Sequence, residues 1–397
     1  MTADILGEHD QAREDSAFRE SVRSALAETV LPRADHWERQ GFIDRDLWPD
    51  LGARGLLNIG LSGPQFLRSA IFLEELGRTG YAGVRASIAV HAYMAAYYLA
   101  CFGTDEQQRR YLDGLRRGEL VVGLAVSEPD AGSDLRDLRT RAEQAAEGYR
   151  VTGTKSPVAN GLQADVLITL ATTSAKPLSN ALAGASLLIV DLRDVPVRRT
   201  ATPMLGWRSA GICRIDLHDT PVAAGNLLGR RNRALLHLMA ALDFERLVAG
   251  LLALGGARHC LELTLSHVRT RILDGASLGS RQVIRHRLSA LVSELDVLTA
   301  SLYRAARLHS LGQLDTYTAA NAKLRATELA AEAARTCLQY HGVRGYREDA
   351  APARIYRDAA GAVLAAGPSE VMHELMSENI EQVVRTPHPA DPSVHRR

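Results

Sequence analysis

The hydrophobic rhythm of the chain changes twice. From Asp10 to about Leu120 apolar residues recur at helical spacing, and the run FRESVRSALAETVLPRADHWER puts Phe18, Val22, Leu26 and Val30 on one face of a 3.6-residue period. SAIFLEELGR reads as a buried helix, and RASIAVHAYMAAYYLACFG is apolar on nearly every side, as expected of a helix enclosed all round. From Val121 to about Gly229 the pattern shortens to strand-like runs, VVGLAVS, GYRVTGT, ADVLITLATT, ASLLIVDL and GICRIDLHD, punctuated by Gly, Pro, Asp and Ser. Turns rather than long helices separate these runs, which argues for an antiparallel sandwich or barrel over a parallel βαβ sheet. SAKPLSNALAG reads as an exposed loop. From Arg231 the helical period returns in three long stretches with short connections, the mark of an antiparallel bundle. The expected organisation is α+β: an N-terminal α-helical domain (1–120), a middle antiparallel β domain (121–230) and a C-terminal four-helix bundle (231–397).

A length of 397 residues suits two or three domains sharing interfaces. With 46% hydrophobic and 23% charged residues and a formal net charge of +1, no global field draws the chain to nucleic acid or to an anionic membrane. Lys155, Lys176 and Lys323 are its three lysines, so nearly all positive charge is arginine; base composition explains this better than phosphate binding. Cys101, Cys213, Cys260 and Cys337 are scattered, with no CxxC and no Cys/His cluster at ligand spacing, so no metal site is expected and a reducing compartment fits. The start, MTADILGEHDQARED, is acidic where a signal peptide is basic and then apolar, and no apolar run reaches spanning length. These features predict a cytoplasmic protein.

Several motif classes are absent. No GxGxxG follows a strand, and there is no HExxH, no GxSxG and no basic stripe interleaved with aromatics. GYRVTGTKS imitates a phosphate loop, but Thr154 separates Gly153 from Lys155 and the run is strand-like. Hydrolase, metalloprotease and nucleic-acid readings lose their support.

AVSEPDAGSD, residues 125–134, ends a strand in a turn-rich segment of hydroxyls, carboxylates and a glycine whose backbone can approach a ligand. Together with QYHGVRGYREDAAPARIYRD, residues 339–358, it resembles the two signature segments of the acyl-CoA dehydrogenase family, which has the same α/β/α order. The resemblance extends through FRESVR, HWERQGFIDRDLWPDLGARGLLNIGL, GTKS, GWRSAGICRIDLHDTPV and LDFERLVAG. It implies FAD bound between the middle domain and the bundle and completed by a neighbouring subunit of a homodimer or homotetramer. By position, Val126 and Ser127 would meet the flavin ring. Gly132 and Ser133 would lie at the pyrophosphate, with Ser133 also beside the substrate. Arg271 would neutralise the pyrophosphate of a neighbour's FAD, a task suited to a forked guanidinium, and Gln339, Gly342 and Gly345 match the segment that touches the adenosine half of the cofactor. Pro368 and Glu370 fall near the cofactor, and Ala365 and Gly367 beside the substrate. Arg246 would line the channel for the pantetheine arm or pair with a helix carboxylate.

The chain departs from the family at informative places. After the lysine of GTK the family places an aromatic and then a hydroxyl against the flavin; here Pro157 and Ala159 stand there, which bears on redox potential and oxygen access. Asp274 replaces a Phe beside the adenine, Pro368 replaces a Thr, and a short GLSGPQF replaces the Pro-Glu-x-x-Gly-Gly stretch. Ala366 occupies the position where many members carry the glutamate that removes the substrate's α-proton. One branch of the family, with isovaleryl-type, long-chain-type and prolyl-carrier-protein enzymes, takes its base instead from a Glu-Arg pair on an earlier helix; Glu245-Arg246 is that pair. Glu245 is therefore the expected base, with the Ala366 N–H stabilising the enolate oxygen; Asp243, roughly 200° away around the helix, is a poorer candidate. The implied activity is FAD-dependent α,β-dehydrogenation of an acyl thioester on CoA or on an acyl or aminoacyl carrier protein, with an electron-transfer flavoprotein or oxygen as acceptor. The alternatives are a flavin oxidase or monooxygenase on the same fold and a non-catalytic paralogue.

Overall fold

The computed structural model describes residues 2–174 and 180–385. The first helical region contains α1 (Thr2–Thr29), α2 (Leu31–Gln40), α3 (Leu47–Ala53), α4 (Phe66–Arg78), α5 (Ala82–Ala89), α6 (Ala96–Phe102), α7 (Asp105–Gln107) and α8 (Asp113–Arg116). The single period expected across FRESVR to HWER is thus two helices. Pro32 sits in the first turn of α2, where its missing N–H costs nothing, and it could not have continued α1. The expected face is real: Val22, Leu26 and Val30 are all buried. The apolar run after Ala82 is interrupted by a π-helical stretch, Val90–Ala95, which joins α5 to α6.

The middle region carries β1 (Val122–Ala125), β2 (Arg141–Ala145), β3 (Gly148–Val158), β4 (Val166–Thr172), β5 (Ala185–Asp191), β6 (Arg198–Ala201), β7 (Cys213–Ala223) and β8 (Leu227–Leu228). The sheet order is β6-β7-β3-β2-β4-β5-β8, with β1 also paired to β4. The expectation of an antiparallel domain needs correction at one edge of β4: β1 runs parallel to it, Val122 opposite Val166 and Ala125 opposite Thr169, and β2 touches it in the same sense at Arg141 and Thr172. The β2–β3 hairpin and the loops around it supply the long crossover that a parallel pair requires. β4 and β5 are buried on both faces, one packed with α6 and the other with β3 and β7, so their sequences are apolar without alternation. GYRVTGTKS lies in β3, which rules out a phosphate loop. The loop expected at SAKPLSNALAG falls partly on 175–179, outside the described residues; its far end, Ala181–Gly184, is a 3₁₀ turn.

The last region contains α9 (Ala234–Thr270), a short hairpin β9 (Ile272–Leu273) and β10 (Ala276–Ser277), α10 (Gln282–Ser310), α11 (Thr316–His341), α12 (Ala351–Ala362), α13 (Ser369–Ser377) and α14 (Ile380–Arg385). The two helical regions share one core, which runs from Val22 on α1 to Ala359 on α12. α4 crosses α9 at glycines: a Cβ on Gly77 would collide with the Leu252 carbonyl, and one on Gly255 with that of Glu74. A second core joins α6, β4, β5 and the first turns of α9. α9 therefore enters at the junction of all three regions. Among the described residues no helix is long and apolar enough to cross a membrane.

Candidate active site

Glu245 lies in the fourth turn of α9 and is 7% exposed. Its Oε1 accepts a hydrogen bond of 2.8 Å from the hydroxyl of Tyr98 on α6, itself fully buried. Burial pushes the Glu245 carboxyl up to about 7, against the Tyr98 hydrogen bond and the charge of Arg246, which both favour the ionised form. Arg246 does not clasp its neighbour. Its Nη1 lies 2.6 Å from Asp243 Oδ1, and Asp243 Oδ2 accepts from Thr316 Oγ1 at 2.7 Å. The helical repeat explains the division: positions 243 and 246 share the face toward α11, whereas position 245 turns toward α6. Arg246 Nε is buried and has no partner among the described residues.

The turn that carries Ala366 follows α12. Ala366 adopts φ 54° and Gly367 φ 92°, a left-handed pair that a β-carbon makes costly at the first position. Lys323 on α11 supports this turn from below: its buried Nζ donates to the carbonyls of Val363 at 3.0 Å and Gly367 at 2.6 Å. Burial first, and then the charge of Arg246, lowers the Lys323 ammonium to about 8, while Glu328 and Glu370 oppose the shift. Arg246 and Lys323 thus link the Glu245 turn of α9 to the Ala366 turn, and Glu370 lies within the same field. Ala365 N donates to Gly361 O at 3.1 Å, and Pro368 precedes α13, its carbonyl accepting from Met372 N at 3.1 Å.

A third group comes from the sheet. Ser156 N donates to Ser127 O at 3.1 Å, and Lys155 Nζ bonds the Val126 carbonyl at 3.1 Å and Glu128 Oε1 at 2.9 Å. The Glu128 carboxylate also accepts from the N–H groups of Arg139 and Thr140 at 2.8 and 2.9 Å, which fixes both ends of the 126–140 segment. Val126, Ser127 and Pro157 are thereby brought together where β3 bulges, between Lys155 and Val158. Ala159 lies close by: a Cβ on Gly123 would come within 3.0 Å of its carbonyl. Gly132 and Ser133 are exposed farther along the loop, and a Cβ on Gly132 would meet nothing within 4 Å.

Arg271, Gln339, Gly342 and Gly345 are elsewhere. Arg271 is 26 residues beyond Glu245 on the α9 axis, a distance of about 39 Å at the helical rise. The ends of α9 and α11 meet there through stacked rings of His267 and His341, with centroids 3.9 Å apart. Gly342 has φ 60° and open space at its Cβ position, and Arg271 is exposed. Asp274 takes φ 52° beside Gly275 at φ 75°, so Asp-Gly closes the β9–β10 hairpin, a turn this dipeptide favours. The substitution of an aromatic by Asp274 therefore has a local backbone reason.

Three residues that sequence reasoning left unassigned hold these groups in place, Tyr98 at Glu245, Lys323 at the Ala366 turn and Lys155 beneath Val126. Tyr98 carried one weak signal, a hydroxyl within a nearly apolar helix. Lys155 and Lys323 carried a better one: in a chain whose cations are almost all arginine, two of the three lysines are fully buried and hold site loops. An ammonium donates in three directions from a narrow tip, whereas a planar guanidinium needs more width.

Helical, sheet and helical regions in this order, with a buried carboxyl near neutral pKa at their junction, are the arrangement that the resemblance implies for a flavin-dependent dehydrogenase. The comparisons agree: residues 12–119, 123–220 and 235–381 match the models of the acyl-CoA dehydrogenase N-terminal, middle and C-terminal domains. The chain belongs to the acyl-CoA dehydrogenase family. It is 31% identical to the mitochondrial long-chain specific acyl-CoA dehydrogenase of Rattus norvegicus, over 92% of this chain and 86% of that one. It is also 31% identical to the mitochondrial isovaleryl-CoA dehydrogenase of Pongo abelii, over 91% and 87%. The crystal structure of an acyl-CoA dehydrogenase from Geobacillus kaustophilus superimposes with a TM-score of 0.87 at 30% identity, covering 93% and 98%. The enzyme is an FAD-dependent oxidoreductase acting on CH–CH groups. The residues fit that cofactor: the 126–133 segment offers backbone groups, hydroxyls and an open glycine.

Proposed function

We propose that the protein dehydrogenates an acyl thioester across its α,β bond and that Glu245 is the base that removes the α-proton. The observation that carries this reading is the state of Glu245: a buried carboxyl at about 7 whose neighbouring arginine pairs with Asp243 instead. A carboxylate locked in an ion pair would bind a proton too weakly, whereas one near neutral pKa can accept a proton at working pH and release it afterwards. FAD, when bound, supplies the acceptor for the β-hydride. The Ala366 N–H, presented by a left-handed turn held from Lys323, is assigned to the thioester oxygen, where negative charge develops as the α-proton leaves. Val126, Ser127 and Pro157 are assigned to the flavin edge, and Arg246 and Gly367 to the substrate's path. Arg271, Gln339, Gly342 and Gly345 are assigned to the cofactor of a neighbouring subunit in a homodimer or homotetramer, since they lie too far from Glu245 to serve the same reaction centre.

The thioester is assigned to CoA, the carrier named for both mitochondrial relatives above, and the acceptor to an electron-transfer flavoprotein. Anaerobic mixing of the FAD-loaded enzyme with acyl-CoA and with acyl-carrier-protein thioesters tests the assignment. CoA thioesters should bleach the flavin, and Glu245→Gln should slow both bleaching and exchange of the substrate's α-proton with solvent by about 10²- to 10⁴-fold. Bleaching by carrier-protein thioesters alone would reassign the substrate, and full α-proton exchange in the variant would remove Glu245 from the mechanism.

A further inference from the structure

We infer that Tyr98 is the positioning residue that aims Glu245 and favours its ionised form; the inference rests on the reading of Glu245 as the base. The phenol oxygen is 2.8 Å from Glu245 Oε1, and both groups are buried between α6 and α9. A carboxylate has no hydrogen to give, so the bond has one direction: Tyr98 donates. The phenol keeps its proton throughout the working range, because burial, and then the charge of Glu245, holds it well above its ordinary value.

The surroundings leave Tyr98 without a substitute. On α9, Arg246 is committed to Asp243. On α6, Tyr97 stacks on Phe244 with centroids 4.3 Å apart and interacts with Cys101 rather than with Glu245. On α10, His309 packs against Phe244 and bonds the Leu61 carbonyl at 2.8 Å. On α11, Lys323 is engaged with the Val363 and Gly367 carbonyls. Among the described residues Tyr98 is the one side chain that donates to the Glu245 carboxylate. Fixing Oε1 leaves Oε2 as the oxygen free to receive a proton, and fixes where it points.

Backbone geometry accounts for the placement. The π-helical stretch Val90–Ala95 inserts one residue into the helical repeat and rotates everything after it by about 100°. In the observed frame Tyr98 faces Glu245 while Tyr97 lies along Phe244. The bulge thus sets which of two adjacent tyrosines meets the base.

Tyr98→Phe removes the hydroxyl and little else. Without its donor the ionised form of Glu245 is less stable, so the acid limb of the kcat–pH profile should move upward by about one to two pH units. Near pH 6 the variant should lose about tenfold or more in rate, and near pH 9 most of that loss should disappear. A second readout needs no turnover: infrared titration of the resting FAD-bound enzyme, with the Glu245 carboxyl band assigned by its absence in Glu245→Gln. Its midpoint should rise in Tyr98→Phe. An unmoved limb and midpoint, or an equal loss of rate at every pH, would overturn the role of Tyr98. Survival of α-proton exchange in Glu245→Gln would instead overturn the base assignment, while the infrared midpoint would still decide whether Tyr98 holds that carboxyl ionised.

Discussion

The two ends of α9 differ in completeness. Around Glu245 the chain encloses its own chemistry: a buried carboxyl, a phenol donor, an arginine whose buried Nε has no partner among the described residues and a lysine-held turn come from four helices of one chain. Around Arg271 the chain offers an exposed guanidinium, an open glycine and a hairpin that together enclose nothing. The first end is built to exclude water, which raises the pKa of a base and strengthens each hydrogen bond within it. The second is open to solvent. A helix of 37 residues holds the two apart, as the proposed assignment of Arg271 to a neighbour's cofactor requires.

That contrast can be broken at either end. Glu245→Gln should have the largest effect, lowering kcat by about 10²- to 10⁴-fold with FAD content unchanged, as read by anaerobic flavin reduction. The same variant should be more stable than the parent at pH 8. The folded-state pKa of Glu245 is raised from 4.5 to about 7, so between those values the folded protein binds more protons than the unfolded chain and loses stability as pH rises. The loss amounts to at most about 3 kcal/mol above pH 7, is absent below pH 4.5, and should vanish from the urea midpoint of the variant. Arg271→Ala should weaken FAD binding by about 10- to 100-fold in a flavin titration while leaving turnover per bound flavin nearly intact. Co-assembly of Arg271→Ala chains with Glu245→Gln chains sharpens the point: if Arg271 serves a neighbour, mixed oligomers should contain sites in which both defects fall together and sites that carry neither. Lys323→Arg should cost about tenfold in kcat, because a planar fork placed beside Arg246 does not reproduce two convergent bonds to the Val363 and Gly367 carbonyls. A kcat equal to the parent's would show that the Ala366 turn holds its shape without the ammonium.

The order of domains was legible because the periods differ so strongly, 3.6 residues at both ends and short β-rich runs between them. β4 and β5 were readable as strands although they do not alternate, since both of their faces are buried and flanking turns bound them. β2 and β6 escaped notice for the opposite reason: RAEQA and RRTA are mostly exposed and polar, so local composition resembles a loop. The parallel pairing of β1 with β4 left no local trace, because a strand's direction relative to a distant partner is set by the path between them. At the site, Ala366 and the Glu245-Arg246 pair pointed to the base through the resemblance, and the i,i+3 spacing allowed Arg246 to pair with Asp243, but nothing in DFER told Glu245 to face α6. Asp274 looked like a loss at a ligand site until the hairpin showed its left-handed backbone.

By itself the sequence determined what kind of residue stands where: a carboxylate removed at Ala366 and present at Glu245, two lysines retained among arginines, a glycine at each point where a loop opens. Only the tertiary structure decided which of these meet. Whether a carboxyl is a base near neutrality or an ordinary surface acid depends on how much water is excluded from it and which donor reaches it. Both are set by helices that lie roughly 150 residues apart in the chain, joined by a register that a single π-helical insertion shifts.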